Sequence, residues 1–185
     1  QKVRAVFISH EHTDHTAGAE VISRKYGIPV YIYEQAYNNS RLKFSDKLLV
    51  HLSADSYIQI GEFTVNPFPK LHDSADPLSF ILSANGCTFG VFTDIGKADD
   101  RLIEKFSKCN AAFLEANYDE KMLLEGRYPW FLKNRIHGDR GHLSNQQALD
   151  LFVSHRSPKL SHLLLSHLSK DNNNPELVLD LFRQH

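Results

Sequence analysis

The chain has 185 residues, 42% of them hydrophobic and 23% charged, and its formal net charge is −1 at pH 7. This length and composition fit a single domain over residues 1–185, and the balanced charge indicates no polyanionic partner by itself. No apolar run approaches the roughly 18 residues of a membrane span, and no signal-peptide pattern is present, so we expect a cytoplasmic protein without membrane contact. Cys87 and Cys109 are too few for a disulfide framework and are expected to pack in apolar surroundings. Because the sequence opens on Gln1 and runs straight into a strand, we expect the natural protein to be longer.

The first half of the chain predicts two parallel strands followed by a block rich in β-structure. Strands are expected at residues 3–9, 30–33, 48–52, 57–60, 63–68, 78–84 and 87–93, and helices at 16–26 and 34–44. Val21, Ile22 and Tyr26 would form the apolar stripe of the first helix, which Gly27 ends. The succession of strand, helix and strand is typical of a βαβ unit, so the first two strands should be parallel. Asn85-Gly86 predicts a tight hairpin turn.

The second half alternates helices with two further strands. Helices are expected at residues 98–107, 119–125, 129–136, from 144 onward and at 176–183, and strands at 111–116 and 162–166. Ser144 and Gln147 predict a capping box at the start of the fourth of these helices. Asn174 should cap the last helix, with Pro175 in its first turn.

Three histidines and an aspartate directly follow the first predicted strand: His10, His12, Asp14 and His15. Imidazole and carboxylate groups are the usual ligands of a zinc-like ion. His10 and His12 are two residues apart, so they cannot share a helix face but can both reach a metal from a loop. Asp14 and His15 would point elsewhere, which indicates a second metal position. A polar loop that is merely rich in histidine is the alternative.

Three more candidate ligands, His72, Asp94 and His167, each follow a predicted strand. Strand ends that meet at one sheet edge make a rigid, open site. Five histidines and two aspartates exceed the needs of one zinc ion and fit two ions, either Zn²⁺ or Mn²⁺. A carboxylate such as Asp94 can bridge two ions, and a pair about 3.5–4 Å apart can hold a hydroxide as the nucleophile. Such a site is positive and favours an anionic substrate. Otherwise, Asp94 would cap a turn and His72 and His167 would be ordinary loop histidines.

The segment Ser-His-Glu-His-Thr-Asp-His at 9–15, followed in order by His72, Asp94 and His167, resembles the signature of the metallo-β-lactamase fold superfamily. Residues 115–119, 129–130, 141–145 and 166–173 resemble the YycJ/WalJ group, bacterial cytoplasmic metal-dependent phosphodiesterases or nucleases with 5′-to-3′ DNA exonuclease activity. The resemblance implies an α/β (α+β) fold, the αββα sandwich, with two metals at one edge. It assigns His10, His12 and His72 to the first metal. It assigns Asp14, His15 and His167 to the second, with Asp94 as the bridge.

The sequence departs from this family in three places. Family members begin with strands and a Gly-rich turn before the histidine loop, and they continue past the last helix, so the sandwich would lack its N-terminal strands and its C-terminal end here. The group often has histidine where this chain has Tyr118, so no role is transferred to that position.

Asp14, Glu115 and His142 are the catalytic candidates. His142 lies between Gly141 and a helix N-cap, where its imidazole could protonate a leaving oxygen; otherwise backbone groups near the cap would satisfy it. Glu115, at a strand end, could orient a ligand histidine, or it could cap the following helix. Glu11 is expected to face solvent.

Residues 127–135 and Arg140 mix cations with aromatic side chains, a composition that can follow a phosphate backbone while stacking on bases. The interpretation we favour from sequence is an amphipathic helix that buries Trp130 and Phe131 and exposes Lys133 and Arg135.

The sequence therefore predicts a dinuclear metal hydrolase of phosphodiester bonds, with DNA or RNA as substrate. Two alternatives stay open: a hydrolase of a lactone, a thioester or a small phosphodiester, and a non-catalytic or redox metal-binding protein. Sequence does not decide the oligomeric state.

Overall fold

The computed structural model describes residues 3–185 of the chain. The chain divides into two compact units, Gln1–Pro69 with Ser74–Asn85, and Lys70–Asp73 with Gly86–His185. Among the described residues, none of the helices is long and apolar enough to cross a membrane. The single domain expected over residues 1–185 stays a prediction.

The first unit contains one parallel sheet and one antiparallel set of strands. Its elements are β1 (Val6–Ile8), α1 (Thr13–Thr16), α2 (Ala19–Tyr26), β2 (Val30–Tyr33), α3 (Glu34–Asn39), β3 (Leu49–Leu52), β4 (Ile58–Ile60), β5 (Phe63–Pro69) and β6 (Leu78–Ala84). β1 and β2 pair in parallel, which confirms the predicted βαβ unit, and β3 adds to β2 in parallel. β4, β5 and β6 pair antiparallel. Ile8, Val30 and Ile32 are buried together, so the apolar side chains of β1 and β2 form the core that fixes the end of β1.

The apolar stripe predicted for the helix after β1 is wrong. Val21, Ile22 and Tyr26 are 55%, 42% and 62% exposed. The buried residues of α2 are Ala19 and Ser23, one helical turn apart, so this helix packs through its small side chains. Helix propensity and apolar content alone do not show which face a helix buries.

The second unit carries a parallel sheet in the order β7, β8, β9. Its elements are β7 (Cys87–Phe92), α4 (Asp100–Phe106), β8 (Ala111–Glu115), α5 (Glu120–Glu125), α6 (Trp130–His137), α7 (Asn145–His155), β9 (His162–Ser166) and α8 (Pro175–Arg183). Asn85 and Gly86, which lead into β7, both have positive φ, as a type I′ turn requires. Phe92, Phe106 and Leu114 are fully buried. Because the three strands are parallel, their carboxyl ends bring Asp94, Glu115 and His167 to one edge of this sheet.

Two of the predicted helix starts are confirmed in detail. Ser144 Oγ accepts from Gln147 N at 3.2 Å while Gln147 Oε1 accepts from Ser144 N at 2.8 Å, the predicted capping box. Asn174 caps α8, with Pro175 as its first residue.

Two predicted burials are wrong. Trp130 and Phe131 are 67% and 74% exposed, and α6 contains no buried residue. Cys87 is exposed, although Cys109 is buried as predicted. Cys87 is the first residue of β7, beside the turn, so its apolar neighbours in sequence do not cover it.

Candidate metal centre

The histidine loop of the first unit begins where β1 ends. Ser9 Oγ lies 2.9 Å from His10 Nδ1 and 3.4 Å from His15 Nδ1. His10 Nε2 and His12 Nδ1 are 3.0 Å apart, and the His10 and His15 ring centroids are 4.2 Å apart. The one-turn helix α1 turns His15 back towards His10. Three imidazoles thus lie close together within this loop. His15, which was expected to point elsewhere, lies against His10.

Asp14 and Glu11 occupy the exposed side of the same loop. The Asp14 side chain is 68% exposed, and its Oδ2 lies 3.4 Å from His15 Nε2. Glu11 was expected to face solvent, but its carboxylate accepts a hydrogen bond from Ala75 N at 2.9 Å. That contact ties the histidine loop to the segment leading into β6.

The second unit groups two of the predicted ligands, His72 and His167, around a third, Asp94. Asp94 Oδ1 lies 3.7 Å from His72 Nε2 and 3.5 Å from His167 Nε2. The Asp94 side chain is only 2% exposed, whereas that of His167 is 25% exposed. The carboxylate is therefore buried beneath two imidazoles, and the His167 side opens to solvent.

Glu115, at the end of β8, accepts hydrogen bonds from two histidines, His142 and His167. Its fully buried Oε1 accepts from His167 Nδ1 at 2.7 Å and from His142 Nδ1 at 2.8 Å. Burial raises the pKa of Glu115, but the hydrogen bonds from His142 and His167 outweigh it and hold that pKa below its ordinary value. Glu115 is therefore a carboxylate that accepts hydrogen bonds from both imidazoles through one oxygen. That it orients a metal ligand stays a prediction. It does not cap α5, which begins with Asp119 as its cap.

These hydrogen bonds fix which ring nitrogen is available to a metal. A carboxylate and a carbonyl oxygen can only accept, so His167 donates from Nδ1 to Glu115, and His72 donates from Nδ1 to Gly141 O at 3.1 Å. In a neutral ring the lone pair is then on Nε2, the atom that faces Asp94. Burial lowers the pKa of His72 to about 4, so this ring is neutral at neutral pH.

The donor set of the second unit fits a divalent cation. Two imidazole lone pairs and a buried carboxylate oxygen face one another, and these acceptors repel each other unless positive charge lies among them. Ligand atoms of Asp94, Glu115, His142 and His167 lie within 4.8 Å of one another. Histidine ligands held through Nδ1 by a carboxylate or carbonyl are the usual arrangement around zinc.

Two residues near Asp94 and His167 were missed in the sequence. Lys70 is buried, donates from Nζ to Thr93 O at 2.7 Å, and lies 3.7 Å from Asp94 Oδ2. Burial lowers the pKa of Lys70, and Asp94 and Glu115 oppose this. Asn117 donates from Nδ2 to His167 O at 2.7 Å. A lysine within the apolar run from Pro67 to Leu71 was the available signal for Lys70. No local sequence feature marks Asn117.

The backbone at two of the candidate ligands is strained. Asp94 and His167 have φ of 55° and 56°, in the left-handed region that non-glycine residues seldom adopt. Such strain persists only where the surrounding structure fixes it, and it concentrates at functional sites. Both residues follow strand ends, so the turn aims each side chain back over the sheet edge.

The loop carrying His142 lies directly against the loop carrying Asp94. A Cβ on Gly96 would approach Arg140 Cα to 2.4 Å, so only glycine allows this contact. His142 N donates to Ile136 O at 2.9 Å, and the His142 side chain is 21% exposed. His142 is therefore held by Glu115 and by α6, with its ring at the surface of the site.

Tyr118 does not enter this group. It is 1% exposed, and burial raises its pKa to about 12, with the nearby carboxylates of Glu120 and Glu115 adding to the shift.

Known proteins are similar to this chain in sequence and in fold. Residues 1–168 match the model of a family described as the beta-lactamase superfamily domain. The chain is 34% identical over 181 residues to exodeoxyribonuclease YycJ of Bacillus anthracis, covering 95% of this chain and 68% of that protein. It is 33% identical to exodeoxyribonuclease WalJ of Streptococcus pneumoniae serotype 2, covering 94% of this chain and 66% of that protein.

A solved structure shows the fold. The metallo-beta-lactamase fold protein YhfI from Bacillus subtilis superposes with a TM-score of 0.72 at 16% identity, covering 98% of this chain and 70% of that one. The fold class predicted from the sequence is thus confirmed. The chain belongs to the β-lactamase superfamily, in the group of the YycJ and WalJ proteins, and it is a metal-dependent hydrolase with the metallo-β-lactamase fold.

Proposed function

We propose that this chain hydrolyses phosphodiester bonds in nucleic acid, with DNA as the leading substrate, using two divalent metal ions, Zn²⁺ or Mn²⁺. Relatives at 34% and 33% identity are named exodeoxyribonucleases, which supports nucleic acid as the substrate. Removal of nucleotides from 5′ to 3′ is the finer expectation that the group suggests. The cytoplasm remains the location we expect.

The proposed ligands follow the order of the family motif. His10, His12 and His72 would hold one ion. Asp14, His15 and His167 would hold the other, and Asp94 would be shared. Two ions held there would lower the pKa of water at the site and offset the negative charge of a phosphate.

The observation that carries the proposal is the shared carboxylate Glu115. Its Oε1 lies 2.7 Å from a proposed ligand, His167, and 2.8 Å from a ring that is not in the ligand motif, His142. A purely structural metal site has no need of an additional, partly exposed imidazole fixed by a buried carboxylate. This pairing is what a hydrolase needs to combine a metal ligand with a proton donor.

His142 is proposed to protonate the leaving oxygen. With Nδ1–H held by Glu115, the Nε2–H of an imidazolium would point away from Glu115 and could transfer its proton to the oxygen departing from phosphorus. The negative Glu115 stabilises that imidazolium, and its fixed orientation avoids the cost of ordering the ring during the reaction. Water attack forms a new bond between oxygen and phosphorus while the bond to the leaving oxygen breaks. The water releases one proton to solvent, the leaving oxygen takes the proton of His142, and a proton from solvent restores the imidazolium, which completes the hydrolysis.

The decisive test measures cleavage by the full-length, metal-loaded protein. Single- and double-stranded DNA and RNA labelled at the 5′ or 3′ end would be compared with bis-p-nitrophenyl phosphate, a lactone and a thioester. We expect phosphodiester turnover that chelation abolishes and Zn²⁺ or Mn²⁺ restores. His12→Ala should abolish turnover, whereas His155→Ala, an exposed histidine at the end of α7, should not. No turnover of any phosphodiester would reject the proposal. Turnover of the lactone or thioester alone would favour a hydrolase of those substrates. Redox-active iron without any hydrolysis would favour a redox metal-binding protein.

His142→Ala separates the proton donor from the metal site. A DNA leaving group is an alkoxide that needs a proton, whereas p-nitrophenolate departs readily without one. The variant should therefore lower DNA cleavage by about 100-fold or more and affect bis-p-nitrophenyl phosphate far less. Metal content, measured in parallel, should be retained. Equal losses of DNA cleavage and of bis-p-nitrophenyl phosphate turnover would show that His142 does not protonate the leaving oxygen.

A further inference from the structure

Helix α6 carries exposed aromatic side chains that the proposed chemistry does not use. Trp130 is 67% exposed and Phe131 is 74% exposed. Trp130 lines a shallow cavity of about 230 Å³ together with Leu124, which is itself 58% exposed, and Lys133. A surface helix that buries none of its residues but presents two large rings gains little stability from them, so a binding role is the better physical explanation.

The segment that carries these rings is rich in cations, although Glu120 lines the same cavity as Trp130 and Lys133. Residues 126–141 contain four cations and one carboxylate: Arg127, Lys133, Arg135, Arg140 and Asp139. This contrasts with the chain as a whole, whose net charge is −1. Aromatic rings among cations suit a nucleic-acid strand, because the rings stack on bases and the cations meet phosphates. An apolar protein partner would gain nothing from this local excess of positive charge.

Contacts at both ends of α6 lead to the loops of the candidate metal centre. At its start, Tyr128 donates from its hydroxyl to Asp171 Oδ2 at 2.8 Å, in the loop that follows His167. Near its end, Arg135 forms an ion pair with Asp73, the neighbour of His72. Ile136 O accepts from His142 N at 2.9 Å. The last turn of α6 therefore adjoins His142, whereas Trp130, at the other end of the helix, lies about 9 Å from Ile136 along the helix axis.

The length of α6 sets how many nucleotides it can follow. Its eight residues span about 12 Å at 1.5 Å per residue. Successive nucleotides of a stacked strand advance about 3.4 Å along its axis, so α6 matches about three to four nucleotides. Rings at the outer end would then contact bases a few nucleotides from the bond near His142.

We propose that α6 is a stacking surface for single-stranded nucleic acid, with Trp130 and Phe131 binding unpaired bases of the strand whose end is cleaved. This inference deepens the proposed function and rests on it for the identity of the substrate. Stacking requires unpaired bases, so single strands should be preferred over duplexes at this surface.

Binding is tested separately from cleavage, in the presence of a chelator. Trp130 is the only tryptophan of the sequence, so the fluorescence that Trp130→Phe removes reports on this position. Adding a short oligothymidylate to the full-length protein should quench that signal. Adding inorganic phosphate instead should leave the signal unchanged. Trp130→Ala and Phe131→Ala should each weaken binding of the oligonucleotide by about 5- to 100-fold, the effect of one base stack. Tyr57→Ala, an aromatic residue 75% exposed outside α6, is the matched control and should bind as the parent does.

Cleavage then tests whether the strand bound on α6 is the substrate. In the parent, kcat/KM should rise as single strands lengthen from a dinucleotide and level off at about four nucleotides. Trp130→Ala should flatten this dependence and lower the ratio of DNA cleavage to bis-p-nitrophenyl phosphate turnover. A misfolded variant would lose both activities together and keep their ratio.

The outcomes separate the two proposals. If no phosphodiester is cleaved but Trp130 is quenched, the proposed function fails while the nucleic-acid surface stands. If DNA is cleaved but neither variant alters binding or the length dependence, the surface is rejected and the function stands. If Trp130→Ala changes only the sedimentation of the protein, α6 is a contact between copies of the chain, and the inference is likewise overturned.

Discussion

Replacing Glu115 with glutamine should weaken metal binding without changing the volume of the side chain. Both Glu115 oxygens accept hydrogen bonds: Oε1 from His142 and His167, and Oε2 from Ile95 N at 2.7 Å and Leu143 N at 3.3 Å. A glutamine amide places a donor where one of these acceptors was. In one orientation the amide NH₂ group faces the backbone N–H groups of Ile95 and Leu143. In the other it faces the Nδ1–H groups of His142 and His167. Either a donor is left opposite a donor, or His167 moves its proton to Nε2 and cannot bind a metal through that atom.

The expected magnitude follows from the bonds that are lost. Hydrogen bonds to a charged group contribute about 1.5–3 kcal/mol each, and two to Oε1 are weakened even when the backbone bonds survive. We therefore expect Glu115→Gln to lower the free energy of unfolding of the metal-free protein by about 2–4 kcal/mol and its Tm by about 4–16 °C. Loss of the residue that orients a metal ligand should also lower metal affinity by about 10- to 100-fold.

The assay is a chelator-competition titration with Zn²⁺ and Mn²⁺, run beside thermal unfolding in excess chelator. Glu104→Gln is the control, because Glu104 is exposed and its carboxylate forms an ion pair with the exposed Lys108 at the surface. The control should match the parent in both measurements. A Glu115→Gln protein that binds metal within twofold of the parent would refute the tautomer argument, and one that also unfolds at the parental Tm would show that Glu115 is not held as described.

Three further predictions concern positions away from the ligands. Ser144→Ala removes the capping box of α7 and should cost about 1 kcal/mol, or 2–4 °C in Tm; an unchanged Tm would show that Gln147 caps the helix alone. Tyr118→Phe should leave stability unchanged or raise it in denaturant unfolding, because among the described residues the buried Tyr118 hydroxyl has no hydrogen-bond partner; a loss of stability would indicate a bound water. Cys87 should react quickly with iodoacetamide, followed by mass spectrometry, and Cys109 slowly, because burial raises the pKa of the Cys109 thiol to about 12; equal rates would contradict the burial.

Elements with a local cause were predictable from sequence. β2 and β9 have the expected bounds, and the cap of α7 was identified from Ser144 and Gln147 alone, because both signals depend on residues within one or two turns. The ligand candidates were found for a related reason: the motif places imidazole and carboxylate groups directly after strands, and the chemistry of those groups identifies them.

Burial and long-range partners were not predictable in the same way. The sequence showed that α2 and α6 contain apolar residues, but not that α2 packs through Ala19 and Ser23 or that Trp130 projects outward. Glu115 lies 27 residues from one histidine partner and 52 from the other, so the sequence could suggest an orienting role but not the two bonds. Such contacts depend on the parallel order of β8 and β9, which a single sequence does not specify.

The shared acceptor joins metal binding and proton transfer in the proposed mechanism. A proton added to His142 draws electron density from Glu115 Oε1, and the same oxygen then polarises the Nδ1–H of His167 less. If a metal ion is held there, His167 Nε2 would be a weaker ligand while His142 is charged and a stronger one after the proton has left for the leaving oxygen. Two groups coupled through one atom 2.7 and 2.8 Å away cannot be assigned independent contributions. In the proposed mechanism the two rings would therefore act together, and the buried carboxylate of Glu115, which binds no substrate there, would orient both imidazoles.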